Sequence, residues 1–169
     1  MPARPGGRRL EICVLAVGRL KAGPERELCE RYFERARKSG SKLGLRGFLV
    51  EEIAEARAAR PQDRIAAEDA ALQARLRDGD RVIALDPQGD LIDSDAFAAA
   101  LSKDAAASVA RTLFLIGGAD GLGKSLLDRS NRRLSFGRLT WPHQLVRILL
   151  AEQLYRATTI LSGHPYHRA

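Results

Sequence analysis

The stretch that decides the fold is Ala110-Arg-Thr-Leu-Phe-Leu-Ile-Gly-Gly118, an apolar run that stops at two glycines. A short apolar run bounded by a turn signal predicts a buried β-strand. Glycines allow a ligand to approach the backbone closely, and ligands of open α/β sheets bind outside the carboxyl ends of the strands. We therefore expect this strand to lie in the core and its glycines to line a binding crevice.

On both sides of this strand the chain alternates between strand and helix patterns. Further strands are predicted at Leu10–Val17, Leu45–Ile53 and Arg81–Leu85, the last of which runs into a turn at Asp86-Pro87-Gln88-Gly89. Helices are predicted from Pro24 to about Ser39, Pro61 to near Asp78, Asp95 to Ala106 (capped by Ser94), Gly123 to Arg133 and Pro142 to Ser162, with Leu134–Leu139 short and extended. This order predicts a parallel-rich α/β sandwich. It forms one domain, residues 10–169, after a flexible extension at residues 1–9.

Charge and composition limit the class of protein. Lys and Arg outnumber Asp and Glu by 28 to 21, which gives a net charge of +7. This excess favours a polyanionic partner such as nucleic acid, and a solvated basic surface is the equal alternative. No stretch approaches the ~20 apolar residues of a membrane span. The two cysteines, Cys13 and Cys29, have no metal-ligand spacing and suit a reducing cytoplasm.

The last predicted helix is apolar around much of its circumference. Leu145, Leu149 and Ile160 can form one stripe, while Ile148 and Tyr155 lie on another side. Such a helix must be buried on more than one side. In a domain this small we favour a second subunit as one of the covering surfaces, and burial in the core alone remains the alternative.

The segment Gly118-Ala-Asp-Gly-Leu-Gly-Lys-Ser125 matches the phosphate-loop spacing G-x-x-x-x-G-K-[ST], after a strand and before a helix. A P-loop nucleotidase is therefore the rival enzyme. Too few residues follow the segment for the further strands and metal-binding Asp of such folds. Asp120 also places a carboxylate where an anion would bind. A glycine-rich turn between strand and helix is the preferred interpretation.

Groups that titrate near neutral pH are concentrated in the C-terminal third. His143, His164 and His167 are the three histidines of the chain, and the last two belong to the tail His164-Pro-Tyr-His-Arg168. A zinc site at His164 and His167 lacks further ligands, so no metal is predicted. A chain terminus is disordered by default, and we expect an RNA partner to order this aromatic and cationic tail.

Four segments together resemble the RlmH family, bacterial SPOUT-class methyltransferases that modify N3 of a pseudouridine in large-subunit ribosomal RNA. They are Phe114-Leu-Ile-Gly-Gly-Ala-Asp-Gly-Leu122, Leu139-Thr-Trp-Pro-His-Gln-Leu-Val-Arg147, Glu152-Gln-Leu-Tyr-Arg-Ala157 and His164-Pro-Tyr-His-Arg168. The resemblance runs from about Leu10 to the C-terminus and is weaker in the first half. It implies an α/β fold with a C-terminal trefoil knot, a homodimer, and S-adenosylmethionine bound in the knot.

The resemblance also implies functional residues. The matching cofactor positions are Leu85, Gly117, Phe136, Gly137, Arg138, Leu139, Thr140 and Trp141. Most of these would contact the ligand through backbone or apolar surface.

Methyl transfer to a ring nitrogen requires alignment of the reactants and removal of one proton. His167 is the candidate base, with Arg168 favouring the deprotonated ring and Tyr166 stacking on it or hydrogen-bonding to it.

RNA binding is assigned to Arg147, Arg156 and His164. Helix-surface ion pairs and a turn at Pro165 are the alternatives for these residues. The predicted function is S-adenosylmethionine-dependent methylation of pseudouridine N3 in the ribosome. Besides the nucleotidase, a basic RNA-binding module without enzymatic activity is the alternative.

Overall fold

The computed structural model of the chain describes residues 9–168. The expected extension at residues 1–9 thus lies outside the described residues, except for Arg9. Five strands form one sheet in the order β2-β1-β4-β3-β5, and every neighbouring pair is parallel. The strands are β1 Leu10–Val17, β2 Leu45–Ile53, β3 Arg81–Asp90, β4 Arg111–Ile116 and β5 Arg132–Leu134. The prediction of a parallel α/β fold is confirmed.

Helices cover both faces of the sheet. They are α1 Pro24–Gly40, α2 Pro61–Gln73, α3 Ser94–Ala106, α4 Lys124–Arg129 and α5 His143–Ser162, with single 3-10 turns at Ser41–Leu43 and Pro165–His167. One core cluster joins the sheet to α1, α3 and α5. A second, smaller cluster joins the opposite face to α2 and α4. The predicted sandwich of helices around a sheet is thus present.

Strand β4 lies in the middle of the sheet and is buried along its whole length. Its apolar side chains alternate between the two clusters: Phe114 and Ile116 belong to one, Leu113 and Leu115 to the other. Neither face of β4 meets water, which is why its sequence is a continuous apolar run instead of an alternating one. Because all the strands are parallel, their carboxyl ends lie at the same edge of the sheet. Gly117 follows β4 at this edge.

The boundary of β3 corrects one expectation. The residues Asp86 to Gly89, predicted as a turn that ends the strand, lie inside β3. Both Leu85 and Asp90 pair with Leu134 of β5, so the residues between them bulge out of the ladder. A bulge leaves its extra residues unpaired, so Pro87 is tolerated although it has no N–H to donate. The Pro-Gly signal is therefore a bulge at the sheet's carboxyl edge.

Three helix boundaries also differ from prediction. Asp93, not Ser94, caps α3, because its carboxylate accepts the Ala96 amide at 2.7 Å. Helix α2 ends at Gln73, before Asp78. Helix α4 ends at Arg129, and the chain then forms β5. Asn131 supports that change, since its side chain accepts the Val82 amide at 2.7 Å and holds the segment against β3.

Helix α5 spans almost the predicted range and packs between α1 and α3. Leu150, Ala151, Leu154 and Ala157 are fully buried, while Leu145 and Leu149 remain 41% and 37% exposed. No helix among residues 9–168 is long and apolar enough to cross a membrane. Within one chain, the helix is thus covered on one side and presents leucines on another.

Candidate active site

A cavity of about 510 Å³ opens at the carboxyl ends of β3 and β4. Three chain segments form it: the end of β3 with its bulge, the glycine turn after β4, and the segment between β5 and α5. Seven of the eight residues predicted to bind the cofactor line it, namely Leu85, Gly117, Phe136, Gly137, Leu139, Thr140 and Trp141. Arg138 is exposed and does not line the cavity.

The turn after β4 is folded tightly against itself. A Cβ at Gly117 would come within 2.7 Å of the Gly121 carbonyl carbon, so only glycine fits there. The Gly121 amide donates to the Gly118 carbonyl at 3.0 Å, and Gly121 adopts a left-handed φ of 80°. At the end of β4, the wall of the cavity is therefore formed by the backbone of the glycine turn.

The segment after β5 is attached to the bulge of β3 by a residue that sequence reasoning missed. The Ser135 side chain is buried. Its hydroxyl accepts the Gly137 amide at 3.1 Å and lies 3.1 Å from the Pro87 carbonyl. The Ser135 amide also donates to the Asp90 carbonyl at 2.9 Å. A lone serine in a loop gives no pattern that predicts this role.

The walls of the cavity are mainly apolar. Asp86 and His143 are the titratable residues that line it among residues 9–168, and no Lys or Arg does so. The His143 Nε2 atom lies 3.8 Å from Glu55 Oε1. Phe136, Gly137 and Trp141 also line an adjoining cavity of about 550 Å³, where Leu91 and Leu149 form part of the wall. Apolar walls with few polar groups are typical of pockets for small organic ligands.

The predicted catalytic tail forms an ordered turn on α5. The Tyr166 ring lies 4.6 Å from the Tyr155 ring, and its hydroxyl donates to Glu152 at 3.2 Å. Arg156 binds the same carboxylate at 2.6 Å and lies over the Tyr166 ring. Burial raises the pKa of the Tyr166 phenol, which therefore stays protonated. The tail thus forms a defined turn against α5, and its ordering by an RNA partner stays a prediction.

The remaining tail residues differ in their burial and hydrogen bonding. His164 Nδ1 accepts the Tyr166 amide at 3.2 Å, so this side chain shapes the turn, the alternative given for it above. His167 is half-buried, and its Nδ1 has no hydrogen-bond partner. Arg168 is exposed. The tail therefore combines a half-buried imidazole with an exposed guanidinium that forms no ion pair within residues 9–168.

The structure brings the tail residues together but keeps them away from the cavity of their own chain. None of the residues from 164 to 168 lines that cavity. Val146, in the first turn of α5, lines it, whereas Tyr166 packs on Tyr155, about 13 Å further along the helix axis. One chain alone does not assemble the cofactor and catalytic residues predicted from the sequence.

Arg147 is buried, which corrects its assignment to RNA binding. Its side chain is 1% exposed. It donates to Glu52 at 2.6 Å and to the Gly18 carbonyl at 3.0 Å, and Glu52 also accepts the Leu20 amide. This arginine joins α5 to the ends of β1 and β2, and no phosphate can reach it. Arg156, paired with Glu152 four residues earlier, is partly exposed.

In the segment that matches the phosphate-loop spacing, the groups that would bind a phosphate are paired with other residues of the chain. The Gly123 amide, which would face a phosphate in such a loop, donates to Asp69 at 3.1 Å. Asp120 pairs with Arg64 at 2.7 Å, and Lys124 pairs with Asp128 on the surface of α4. The Asp69 carboxylate on the Gly123 amide, a second carboxylate at Asp120 in the loop and a lysine paired with Asp128 make this segment unsuitable for an anion. The geometry therefore disfavours the nucleotidase.

Within residues 9–168 no group of three or more His, Cys, Asp or Glu side chains is arranged to hold a metal ion. Burial raises the pKa of both Cys13 and Cys29 to about 11, so neither thiol is a reactive group at neutral pH. The candidate chemistry is therefore confined to the cavity and the tail.

The chain is similar to known proteins over nearly its whole length. A family model described as "Predicted SPOUT methyltransferase" matches residues 10–167. A protein of Rhodopseudomonas palustris (strain BisB5), named ribosomal RNA large subunit methyltransferase H, is 52% identical over 160 residues, which cover 95% of this chain and all of that protein. Proteins of the same name from Bradyrhizobium diazoefficiens and Afipia carboxidovorans are 50% and 53% identical, with the same coverage.

Among solved structures, a SpoU methyltransferase, AviRb from Streptomyces viridochromogenes, in complex with the cofactor AdoMet, is 13% identical. The match covers 92% of this chain and 59% of that chain, with a low TM-score of 0.39. The family model and the relatives together cover nearly the whole chain. This protein therefore belongs to the SPOUT methyltransferases, within the family of the ribosomal RNA large subunit methyltransferase H proteins.

Proposed function

We propose that this protein transfers the methyl group of S-adenosylmethionine to N3 of a pseudouridine in large-subunit ribosomal RNA. It does so as a homodimer, on the assembled ribosome in the cytoplasm. The observation that carries the proposal is the cavity at the end of β4, which collects seven of the eight expected cofactor residues. The shared name of the relatives supports the RNA substrate. The trefoil knot of the family stays a prediction.

The cavity fits the cofactor in size and chemistry. A volume of about 510 Å³ lies in the range of small-molecule sites. Leu85, Leu139 and Trp141 offer apolar surface to an adenosine, and the Gly117 and Gly137 backbone permits close approach. When bound, S-adenosylmethionine supplies a methyl group on a positively charged sulfur. The residues of the cavity hold and align it and exclude water.

The acceptor nitrogen must lose its proton at or before transfer. His167 is the proposed base, because its imidazole is only half-buried, although the Nδ1 atom itself is buried without a hydrogen-bond partner. Arg168 beside it favours the anionic form of the ring by charge. Tyr166 stays a neutral phenol and contributes an aromatic face or a hydrogen-bond donor.

A second copy of the chain brings this tail to the cavity. Exposed apolar residues adjoin the cavity mouth on the side that α5 presents, with exposed fractions of 72% at Leu139, 41% at Trp141, 41% at Leu145 and 37% at Leu149. Large exposed apolar side chains of this kind favour a protein interface. Covering it with a partner subunit buries these residues and supplies the tail that a single chain keeps away from its own cavity.

The RNA is proposed to approach the carboxyl edge of the sheet. Arg19 follows β1, Arg57 follows β2 and Arg138 follows β5, so the parallel topology places all three on the same edge as the cavity. They are exposed, and within residues 9–168 none of them is in an ion pair. Free guanidinium groups at this edge suit the phosphate backbone.

Two measurements test the proposal. Mass spectrometry of ribosomal RNA from cells lacking the protein should show the loss of one methyl group, on a pseudouridine of the large subunit. Calorimetry should detect binding of S-adenosylmethionine and no binding of ATP. Binding of ATP alone would favour the nucleotidase, and binding of neither ligand with unchanged RNA would favour a binding module without activity.

A further inference from the structure

The cavity has the opposite electrostatic character to the chain that contains it. The whole chain carries a net charge of +7. Among the described residues that line the cavity, however, there is a carboxylate, Asp86, and no Lys or Arg. Asp86 is half-buried. One oxygen accepts the Gln88 amide at 3.1 Å, which orients the side chain.

A second carboxylate lies directly behind the glycine turn. Glu68 of α2 is 5% exposed. Its Oε1 accepts the Ala56 amide at 2.9 Å, whereas its Oε2 is buried without a hydrogen-bond partner. That free oxygen faces Gly118, since a Cβ on Gly118 would come within 3.0 Å of it. Gly118 itself lines the cavity, so an unpaired buried carboxylate oxygen sits against the cavity wall.

Neither Arg64 nor Arg138 lines the cavity. Arg64, one turn before Glu68 on α2, is paired with Asp120 and donates to the Ala58 carbonyl. Arg138 is exposed and outside the cavity. Asp69, next to Glu68, binds the Gly123 amide, and burial raises its pKa. A buried carboxylate oxygen without a partner is costly for a folded chain, and a cationic ligand in the cavity would offset part of that cost.

We propose that Glu68 and Asp86 make the cavity select S-adenosylmethionine over S-adenosylhomocysteine by charge. This inference rests on the proposed placement of the cofactor in the cavity. The two molecules share the adenosine and the amino-acid group, and they differ by one methyl group and by the positive charge on sulfur. A carboxylate near the ligand stabilises the sulfonium by Coulomb attraction and gives the neutral thioether no such stabilisation. Methyl transfer thus removes the charge that holds the cofactor, and the product leaves.

Calorimetry with both ligands tests the charge selection. Dissociation constants are measured at low ionic strength, where screening is weak, for the wild-type protein, Glu68→Gln and Asp86→Asn. Each substitution keeps the side-chain shape and removes the charge. We expect each variant to bind S-adenosylmethionine about tenfold more weakly, equivalent to about 1.4 kcal/mol. The affinity for S-adenosylhomocysteine should change by less than about twofold.

Asp63→Asn is the matched control, because Asp63 is also an acid of α2 but is exposed and paired with Arg60. It should leave both affinities unchanged. If Glu68→Gln and Asp86→Asn weaken both ligands equally, the carboxylates only position the loop, and the charge selection is wrong. Unchanged affinities for both ligands would overturn it as well. Should Glu68→Gln fail to fold, the half-buried Asp86→Asn still decides the question.

Failure of the cofactor placement gives a different result. Gly117→Ala narrows the cavity without changing any charge, so it should weaken both ligands alike. If Gly117→Ala leaves both affinities unchanged while the fold is intact, the cofactor binds elsewhere, and the inference fails with its premise. Steady-state kinetics adds a further readout. The carboxylate variants should raise KM for S-adenosylmethionine without lowering kcat, because the positive charge on sulfur is already diminishing in the transition state.

Discussion

At Gly117 the backbone leaves no room for a side chain, because a Cβ would meet the Gly121 carbonyl carbon at 2.7 Å and its oxygen at 2.9 Å. Gly117→Ala should therefore move the turn and lower the affinity for S-adenosylmethionine at least about tenfold, with a loss of about 1–3 kcal/mol of stability. Calorimetry and thermal unfolding measure the two effects. Gly79→Ala is the control: its φ is 85° but no atom lies within 4 Å, so it should cost stability and keep the affinity. Equal affinities for both variants would contradict the assignment.

The two cysteines give a prediction about pH. Burial raises the pKa of Cys13 and Cys29 to about 11, above the ordinary thiol value. A raised pKa means that the native state holds the proton more tightly than the unfolded chain. The stability that this contributes is present at neutral pH and is lost as the pH rises from about 9 towards 11. At pH 8 the native thiols should react with a disulfide reagent at least about a hundredfold more slowly than free cysteine. Rapid labelling of the native chain would contradict the buried positions, and labelling in guanidinium is the control.

Among the elements, α5 depends most on one side chain. Arg147 connects it to Glu52 of β2 and to the Gly18 carbonyl after β1. Removing one partner of a buried ion pair leaves the other charge uncompensated. Arg147→Ala should therefore lower the free energy of unfolding by about 3–5 kcal/mol in urea denaturation. Arg156→Ala breaks a partly exposed pair on the same helix and should cost about 1 kcal/mol or less. Similar losses for both variants would show that burial does not distinguish them.

For the whole molecule, the proposed dimer predicts complementation between two defective chains. Arg168→Ala should reduce methyl transfer at least about a hundredfold with cofactor affinity nearly unchanged, because its proposed role is to favour the anionic form of the acceptor ring and not to hold the cofactor. Gly117→Ala damages the cavity but keeps the tail. Co-expression of the two variants forms mixed dimers with one intact composite site, which should restore about a quarter of the wild-type activity if subunits pair at random. Methyl transfer to ribosomes lacking the modification measures it. No recovery, with mixed dimers present, would show that each chain uses its own tail.

The sequence predicted most of the fold because β1 and β4 are continuous apolar runs and because α1 and α2 begin at prolines. Leu10–Val17 and Leu45–Ile53 have the predicted bounds, and β4 differs by one residue. The supports of the cavity could not be predicted, since they join positions far apart in the chain. Asp69 and Gly123 are 54 residues apart, and Ser135 and Pro87 are 48 apart. Such contacts depend on how the strands are ordered in the sheet. The sequence did not predict the bulge in β3 either, because proline and glycine occur both in turns and in bulges.

Trp141 is the single tryptophan of the chain, and it lines both adjoining cavities while remaining 41% exposed. The protein therefore carries one indole fluorophore besides its three tyrosines, and this indole lies where a ligand or a second subunit would displace water from it. Shifts in emission wavelength and quenching by iodide would then report occupancy of this region without any label. Inhibitors that enter either cavity can be screened by the same optical signal.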